Sequence, residues 1–94
     1  MKLYHCTTPK KAKAYRITGY IKAPVRGFDT IEAALAWCVK VGRTVIYEIN
    51  TNKYFKLPDH HNQFGEAYWS EENIKDFKCV YSAKQPLEKH DKSN

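Results

Sequence analysis

The feature that most constrains the fold is a helix followed directly by a strand, between residues 29 and 50. Asp29 or Thr30 caps the predicted helix, and Glu32 is placed to complete a capping box with Asp29. Its apolar stripe is formed by Ile31, Ala34, Leu35 and Cys38, and Gly42 ends it. Residues 44–49 then give the strongest strand pattern in the chain. This unit predicts a helix that buries its stripe against a sheet.

Shorter patterns lie on either side of this unit. Residues 1–8 predict a strand with Leu3 and His5 on one face and Tyr4 and Cys6 on the other. A short basic helix follows over residues 10–17, capped by Thr8, with Pro9 at its first position and Gly19 at its end. Further strands are predicted at residues 54–57, 66–69 and 73–82. Residues 25–28 are predicted as a connector, and residues 58–65 as a polar loop.

Together these elements predict one domain over residues 1–83 and a disordered polar tail over residues 84–94. The order is strand, helix, short extended piece, helix and then four strands. It indicates an α+β fold in which two short helices pack on a split, mostly antiparallel sheet. A chain of 94 residues can build one modest core and little more.

Charge and composition restrict the classes of partner. The net charge of +6 and a sequence pI near 9.3 favour binding to nucleic acid or other anions. Aromatic residues make up 14% of the chain and could line a cleft. The basic and aromatic residues do not follow an RNP motif or a recognition-helix pattern. The sequence also lacks a glycine-rich phosphate loop, an HExxH pair and a GxSxG elbow.

Cysteine usage indicates a reducing compartment. Cys6, Cys38 and Cys79 are widely spaced and lie among apolar residues, which predicts buried free thiols in a cytoplasmic protein. Their spacing does not fit a zinc site. The adjacent His60 and His61 lack an evident third ligand, so a solvated loop is preferred to a metal site. No apolar run is long enough to span a bilayer, so a membrane partner is not expected.

Three segments in order resemble a miniature ADP-ribosyltransferase domain, of the His–Tyr–Glu branch that includes poly(ADP-ribose) polymerases and diphtheria toxin. Residues 3–7 (LYHCT) are similar to that family's strand with an apolar residue, an aromatic, His, Gly and Thr or Ser. Residues 19–24 and 27–30 (GYIKAP, GFDT), with the helix after them, match its second segment. Residues 65–69 (GEAYW) match the strand that the family's catalytic Glu opens. The resemblance covers residues 3–81.

The resemblance implies NAD as the substrate and a set of site residues. Glu66 corresponds to the catalytic carboxylate, which binds the nicotinamide ribose and polarises the incoming nucleophile. His5 corresponds to the histidine that holds the adenine-side ribose hydroxyl and is counted with Glu66 as a catalytic residue. We predict that His5 and Glu66 line one cavity, because the ends of their strands meet at the split in the sheet. The implied NAD-binding residues are His5, Cys6, Thr7, Tyr20 and Phe28.

Two departures from the family pattern affect this interpretation. Cys6 stands where the family usually has a glycine, and Phe28 lacks the hydroxyl of the family's tyrosine, for which Tyr20 is an alternative. From the residues alone, His5 is preferred as a histidine satisfied by a backbone carbonyl and Glu66 as an exposed edge-strand carboxylate, and Phe28 fits a core residue at least as well as an NAD-binding residue.

Three functions therefore stay open. The first is a small mono-ADP-ribosyltransferase-like protein that uses NAD to modify a protein or nucleic-acid target. The second is an inactive domain of the same fold that binds a nucleotide, a nucleic acid or a protein. The third is a mobile-element-encoded inhibitor that blocks a partner's surface.

Overall fold

The computed structural model describes residues 1–86, which form two helices and six strands. Their order and bounds are β1 (Lys2–Thr7), α1 (Pro9–Thr18), β2 (Val25–Phe28), α2 (Ile31–Val41), β3 (Val45–Asn50), β4 (Tyr54–Asn62), β5 (Gly65–Ser70) and β6 (Phe77–Ser82). The predicted tail begins at residue 84, and its residues 87–94 lie outside the described part of the chain.

Both helices begin and end at the residues that the sequence indicates. The Thr8 side chain accepts a hydrogen bond from the N–H of Lys11 at the start of α1, and Thr30 caps α2 in the same way. Gly19 and Gly42 follow the two helices with φ angles of 83° and 74°, which a glycine adopts without steric cost. Of the two candidate caps of α2, Thr30 is therefore the one used.

The six strands form one sheet in the order β4-β5-β2-β1-β3-β6, and every neighbouring pair is antiparallel. The prediction of an α+β domain with two short helices and a mostly antiparallel sheet is confirmed. The sheet is continuous rather than split in two. However, β1 and β2 share a single registered pair, Tyr4 opposite Phe28, whereas β1 and β3 share six. The halves β4-β5-β2 and β1-β3-β6 are thus joined at one narrow junction.

Each helix covers one face of the sheet. Ala12 and Tyr15 of α1 pack on Leu3, Tyr47, Ile49 and other residues of what we term the α1 face. Ala34 and Cys38 of α2 pack on Cys6 and Ile46 of the opposite α2 face. The predicted alternation of Leu3 and His5 with Tyr4 and Cys6 is confirmed, because these two sets lie on opposite faces.

Four sequence predictions are wrong in detail. Residues 25–28 are not a connector but strand β2, and most of the predicted loop at residues 58–65 belongs to the long edge strand β4. The last strand begins at Phe77 rather than at residue 73, and Ile74 forms only an isolated bridge with Ile21. Cys79 is exposed, because it lies on the edge strand β6, whereas Cys6 and Cys38 are buried as predicted.

Candidate functional site

The narrow junction between β1 and β2 is the centre of the candidate site. Met1 and Thr51 exchange both backbone hydrogen bonds, at 2.7 and 3.0 Å. In an antiparallel sheet, the N–H and C=O groups of successive residues point alternately to the strands on either side. Since Met1 bonds to Thr51, the odd residues of β1 bond to β3, and the peptide groups of the even residues face β2. Tyr4 is the only one of these even residues that has a registered partner in β2. The peptide groups of Cys6 therefore face the place where the two strands separate, which we term the gap.

The His5 side chain crosses the gap where backbone pairing stops. Its Nδ1 lies 2.7 Å from the carbonyl oxygen of Arg26, and its Nε2 lies 3.1 Å from the hydroxyl of Tyr15. A carbonyl can only accept, so Nδ1 carries the proton and the neutral Nε2 accepts from Tyr15. The Tyr15 oxygen in turn lies 3.2 Å from the hydroxyl of Thr7, which is fully buried. Both ring nitrogens of His5 are thus engaged within the fold.

The surroundings of His5 keep its ring neutral. Burial lowers the pKa of His5 below its ordinary value of 6.5, and the bond to the Arg26 carbonyl only partly opposes this. The positive charges of Arg43 and Lys11 lower the pKa further. Two cations therefore lie close enough to the gap to act on the imidazole.

The lowered pKa predicts a specific dependence of stability on pH. Below pH 6.5 the unfolded chain binds a proton at this histidine more readily than the folded chain does. The free energy of unfolding is therefore expected to fall as the pH drops through 6.5. Urea denaturation between pH 8 and 5 would measure this, with His5→Asn as the matched variant without a titrating group. Equal pH slopes for both proteins would contradict the assignment of a neutral, buried His5.

Gly27 permits the close approach of the two strands beside the gap. A Cβ atom at this position would lie 2.9 Å from the Cβ of Leu3 and 3.1 Å from the carbonyl oxygen of Tyr4. The first contact is shorter than real Cβ atoms make, and the second, with backbone, is tighter than nearly all of them. A glycine is therefore required here by packing rather than by its φ angle.

Arg43 places a cation in the gap. Its Nη1 donates to the carbonyl oxygen of Cys6 at 3.1 Å, and this carbonyl faces β2. Within residues 1–86, Arg43 forms no ion pair with a carboxylate. Its charge is thus held beside His5 by a hydrogen bond to a neutral carbonyl, and it is not neutralised.

Glu66 lies on the same face of the sheet as His5. Tyr4, Phe28 and Ala67 are directly opposite one another in neighbouring strands and share the α2 face, so the residues adjacent to Tyr4 and Ala67 point to the α1 face. His5 and Glu66 are two strands apart, about 10 Å across the sheet, and they lie on opposite sides of the row formed by Tyr4, Phe28 and Ala67, so they are also offset by two residues, about 7 Å, along the strands.

The backbone of Glu66 is fixed, while its carboxylate is accessible. Its N–H donates to Oδ1 of Asp29 at 3.0 Å, and its carbonyl accepts from the Asp29 N–H at 3.0 Å. The carboxylate is 3.7 Å from Nζ of Lys56, and the Glu66 side chain is 40% exposed. Gly65 precedes it because a Cβ there would lie 2.5 Å from the Asp29 carboxylate.

An open groove of about 440 Å³ lies beside Glu66. It is lined by Lys56, Pro58, Asp59, His61 and Glu66, all from β4 and β5. His61 is directly opposite Glu66 in the register of these two strands. His5 does not line this groove, so the groove does not unite the two residues that the sequence interpretation assigned to one cavity.

The other predicted NAD-binding residues are dispersed. Cys6 and Phe28 lie on the α2 face, opposite His5: Cys6 donates to the carbonyl of Ala34 at 3.1 Å, and the Phe28 ring is 6.3 Å from that of Trp37. A hydrogen bond with the Cys38 thiol and burial raise the pKa of Cys6, which stays protonated.

Thr7 and Tyr20 complete the set of predicted residues. Thr7 is buried and bonded to Tyr15. Tyr20 is half-buried and follows the end of α1, where its N–H and carbonyl both bond to the hydroxyl of Thr18. Neither side chain is placed in the gap by these contacts.

Two residues at the gap were not singled out by the sequence interpretation as part of a site. Tyr15 lies three residues after Ala12 in α1, and this helical spacing could have indicated that it packs on the sheet beside Ala12. Arg43 precedes β3 without a motif, and only the three-dimensional structure brings it to Cys6.

Metal-binding clusters and membrane-spanning helices were also considered for the described residues. Among residues 1–86, no three His, Cys, Asp or Glu side chains come together in a way that could hold a metal ion. In the same part of the chain, neither helix has the length and apolar character needed to cross a bilayer.

Comparisons of the chain with protein-family models, with curated proteins and with solved structures find no match. The likeness to ADP-ribosyltransferases therefore rests on three short sequence segments alone.

Proposed function

We propose that this chain is a small NAD-binding domain of the ADP-ribosyltransferase type. The observation that carries the proposal is the position of His5 and Glu66, which project from the same face of the sheet on either side of the β1–β2 junction. A dinucleotide is long enough to extend between two groups that are about 12 Å apart.

The electrostatics of the gap support an anionic ligand. Arg43 is held beside Cys6, and both Arg43 and Lys11 are close enough to His5 to lower its pKa. No acidic residue lies in the first turn of α1, whose N-terminus carries a partial positive charge. A pyrophosphate bound in the gap would lie near the cations Arg43 and Lys11, with few carboxylates to repel it.

The geometry favours binding over turnover. Both nitrogens of His5 are used within the fold, so the ring can hold a ribose hydroxyl only if Tyr15 releases Nε2. Phe28 is on the opposite face and packs against α2, so it does not stack on a nicotinamide near His5. Binding of the intact nucleotide is therefore the function we place first.

Transfer of ADP-ribose to a protein or nucleic-acid target is the second candidate. The accessible carboxylate of Glu66 favours it, because a carboxylate on a fixed backbone can bind a ribose and polarise a nucleophile. The ion pair with Lys56 is exposed and holds this carboxylate only weakly.

Calorimetric titration with NAD tests the proposal. We expect NAD and ADP-ribose to bind and free nicotinamide to bind much more weakly. Arg43→Gln should weaken the binding of both nucleotides, whereas the matched variant Arg16→Gln, on the exposed side of α1, should not. The absence of heat with millimolar NAD, or equal effects of the two variants, would overturn the proposal.

A further inference from the structure

A strip of aromatic and basic side chains runs across the α2 face, away from His5 and Glu66. Phe55 of β4 is directly opposite Trp69 of β5, and Trp69 is directly opposite Arg26 of β2. Directly opposite residues share a face, so all three side chains project on the same side.

The strip continues along β2 and onto α2. Phe28 is two residues beyond Arg26 and so projects from the same face. Its ring centre is 6.3 Å from that of Trp37, and Nζ of Lys40 is 5.7 Å from the centre of the Trp37 ring. We define the aromatic strip as Phe55, Trp69, Arg26, Phe28, Trp37 and Lys40.

Four members of the strip, Phe55, Arg26, Trp37 and Lys40, are exposed, whereas Trp69 and Phe28 are half-buried. Phe55 and Trp37 are 52% and 37% exposed, so part of each ring is open to a ligand. Arg26 and Lys40 are exposed, and within residues 1–86 neither forms an ion pair with a carboxylate. The cations are therefore available to an external anion.

We propose that single-stranded nucleic acid docks on the aromatic strip. Unpaired bases stack on the faces of aromatic side chains, and Arg and Lys between or beside them bind the phosphates. Within the sheet, the strip supplies both kinds of contact over two strand spacings, about 10 Å, and then over two residues along β2, about 7 Å. This inference does not depend on NAD binding, because the two sites are on opposite faces.

The chemistry of the strip favours a single strand over other partners. Base pairs in a duplex stack on one another and do not present their faces to aromatic side chains. The net charge of +6 adds a general attraction to a polyanion.

Tryptophan fluorescence provides a direct test. The chain has two tryptophans, and Trp37 and Trp69 both lie in the strip. Titration of the full chain with an unlabelled 12-nucleotide oligo(dT) should therefore quench its fluorescence, with a midpoint that rises with salt. The same titration with a 12-base-pair duplex should give little quenching. Absence of quenching by oligo(dT) at low salt, or equal quenching by the duplex, would overturn the proposal.

The binding surface can be located by comparing the oligo(dT) affinities of variants, measured from the fluorescence anisotropy of a labelled oligo(dT). Trp69→Ala should weaken binding by about 5- to 150-fold, the range expected for loss of one stacked base. Arg26→Gln should reduce the slope of log affinity against log salt by about 0.7. Tyr54→Ala, an exposed aromatic that lies on the opposite face, and Lys13→Gln on α1 are the matched controls.

Two further measurements show whether a variant has lost oligo(dT) binding alone, rather than its fold or its NAD binding. Circular dichroism of each variant would show that it is folded, and NAD binding by Trp69→Ala should equal that of the wild type. Equal losses of oligo(dT) affinity in Trp69→Ala and Tyr54→Ala would mean that binding is not at the strip, and would overturn the inference.

Discussion

Replacing His5 with alanine is expected to lower the free energy of unfolding by about 2–3 kcal/mol. The substitution removes the side-chain bonds to the Arg26 carbonyl and the Tyr15 hydroxyl. It also leaves a void at the junction, where backbone pairing between β1 and β2 is limited to one registered pair. Chemical denaturation followed by circular dichroism would measure the change.

Two further histidine variants show whether His5→Ala loses stability because the hydrogen bond to Arg26 is lost or because side-chain volume is removed. In His5→Asn the side-chain amide can replace Nδ1 as the donor to the Arg26 carbonyl, so this variant should recover part of the lost stability. His60→Ala removes an exposed ring that bonds only to the nearby Pro58 carbonyl, and should change stability little. If His5→Ala were no less stable than His60→Ala, the bridging role of His5 would be wrong.

The second large effect is expected for Glu66→Gln, in an assay of ADP-ribose transfer by the protein. Glu66→Gln should lower kcat by about 10²–10⁴, the usual loss when a general acid–base group is removed. NAD affinity should change little, because such a carboxylate acts chiefly in the transition state. Stability should also change little, since the ion pair with Lys56 is exposed. Initial rates over a range of NAD concentrations, with a stability measurement, would test all three expectations.

Glu71→Gln is the matched control, because Glu71 is an exposed carboxylate in the turn just after β5. It should retain the wild-type kcat. A Glu66→Gln protein with full activity would exclude Glu66 as the catalytic carboxylate and leave NAD binding as the remaining function of the site.

The elements with strong local signals were predictable, and those that depend on neighbouring strands were not. Capping by Thr30 and termination by Gly42 depend on a few adjacent residues, so α2 was predicted within its true bounds. By contrast, β4 contains Pro58 and Asp59, and Asp59 has a φ angle of 61°. Pairing with β5 on one side nevertheless holds this edge strand together, across an irregularity between Lys56 and His61.

The site was predictable only in part, because the positions of several of its residues depend on contacts between strands. Period-2 alternation correctly placed Cys6 opposite His5, but the face on which Phe28 lies depends on its register with Tyr4, which is a tertiary feature. Gly27 made residues 25–28 look like a connector, whereas it is needed because β2 lies close to Leu3. No local pattern could bring Arg43 to the Cys6 carbonyl.

We propose above all that the β1–β2 gap binds a nucleotide. Titration of the ¹⁵N-labelled chain with NAD, followed by amide NMR, tests this claim residue by residue. We predict saturable shifts at the amides of His5, Cys6 and Gly27, with smaller changes at Trp69 on the aromatic strip. Saturable shifts confined to the strip, or no shifts at millimolar NAD, would contradict the claim.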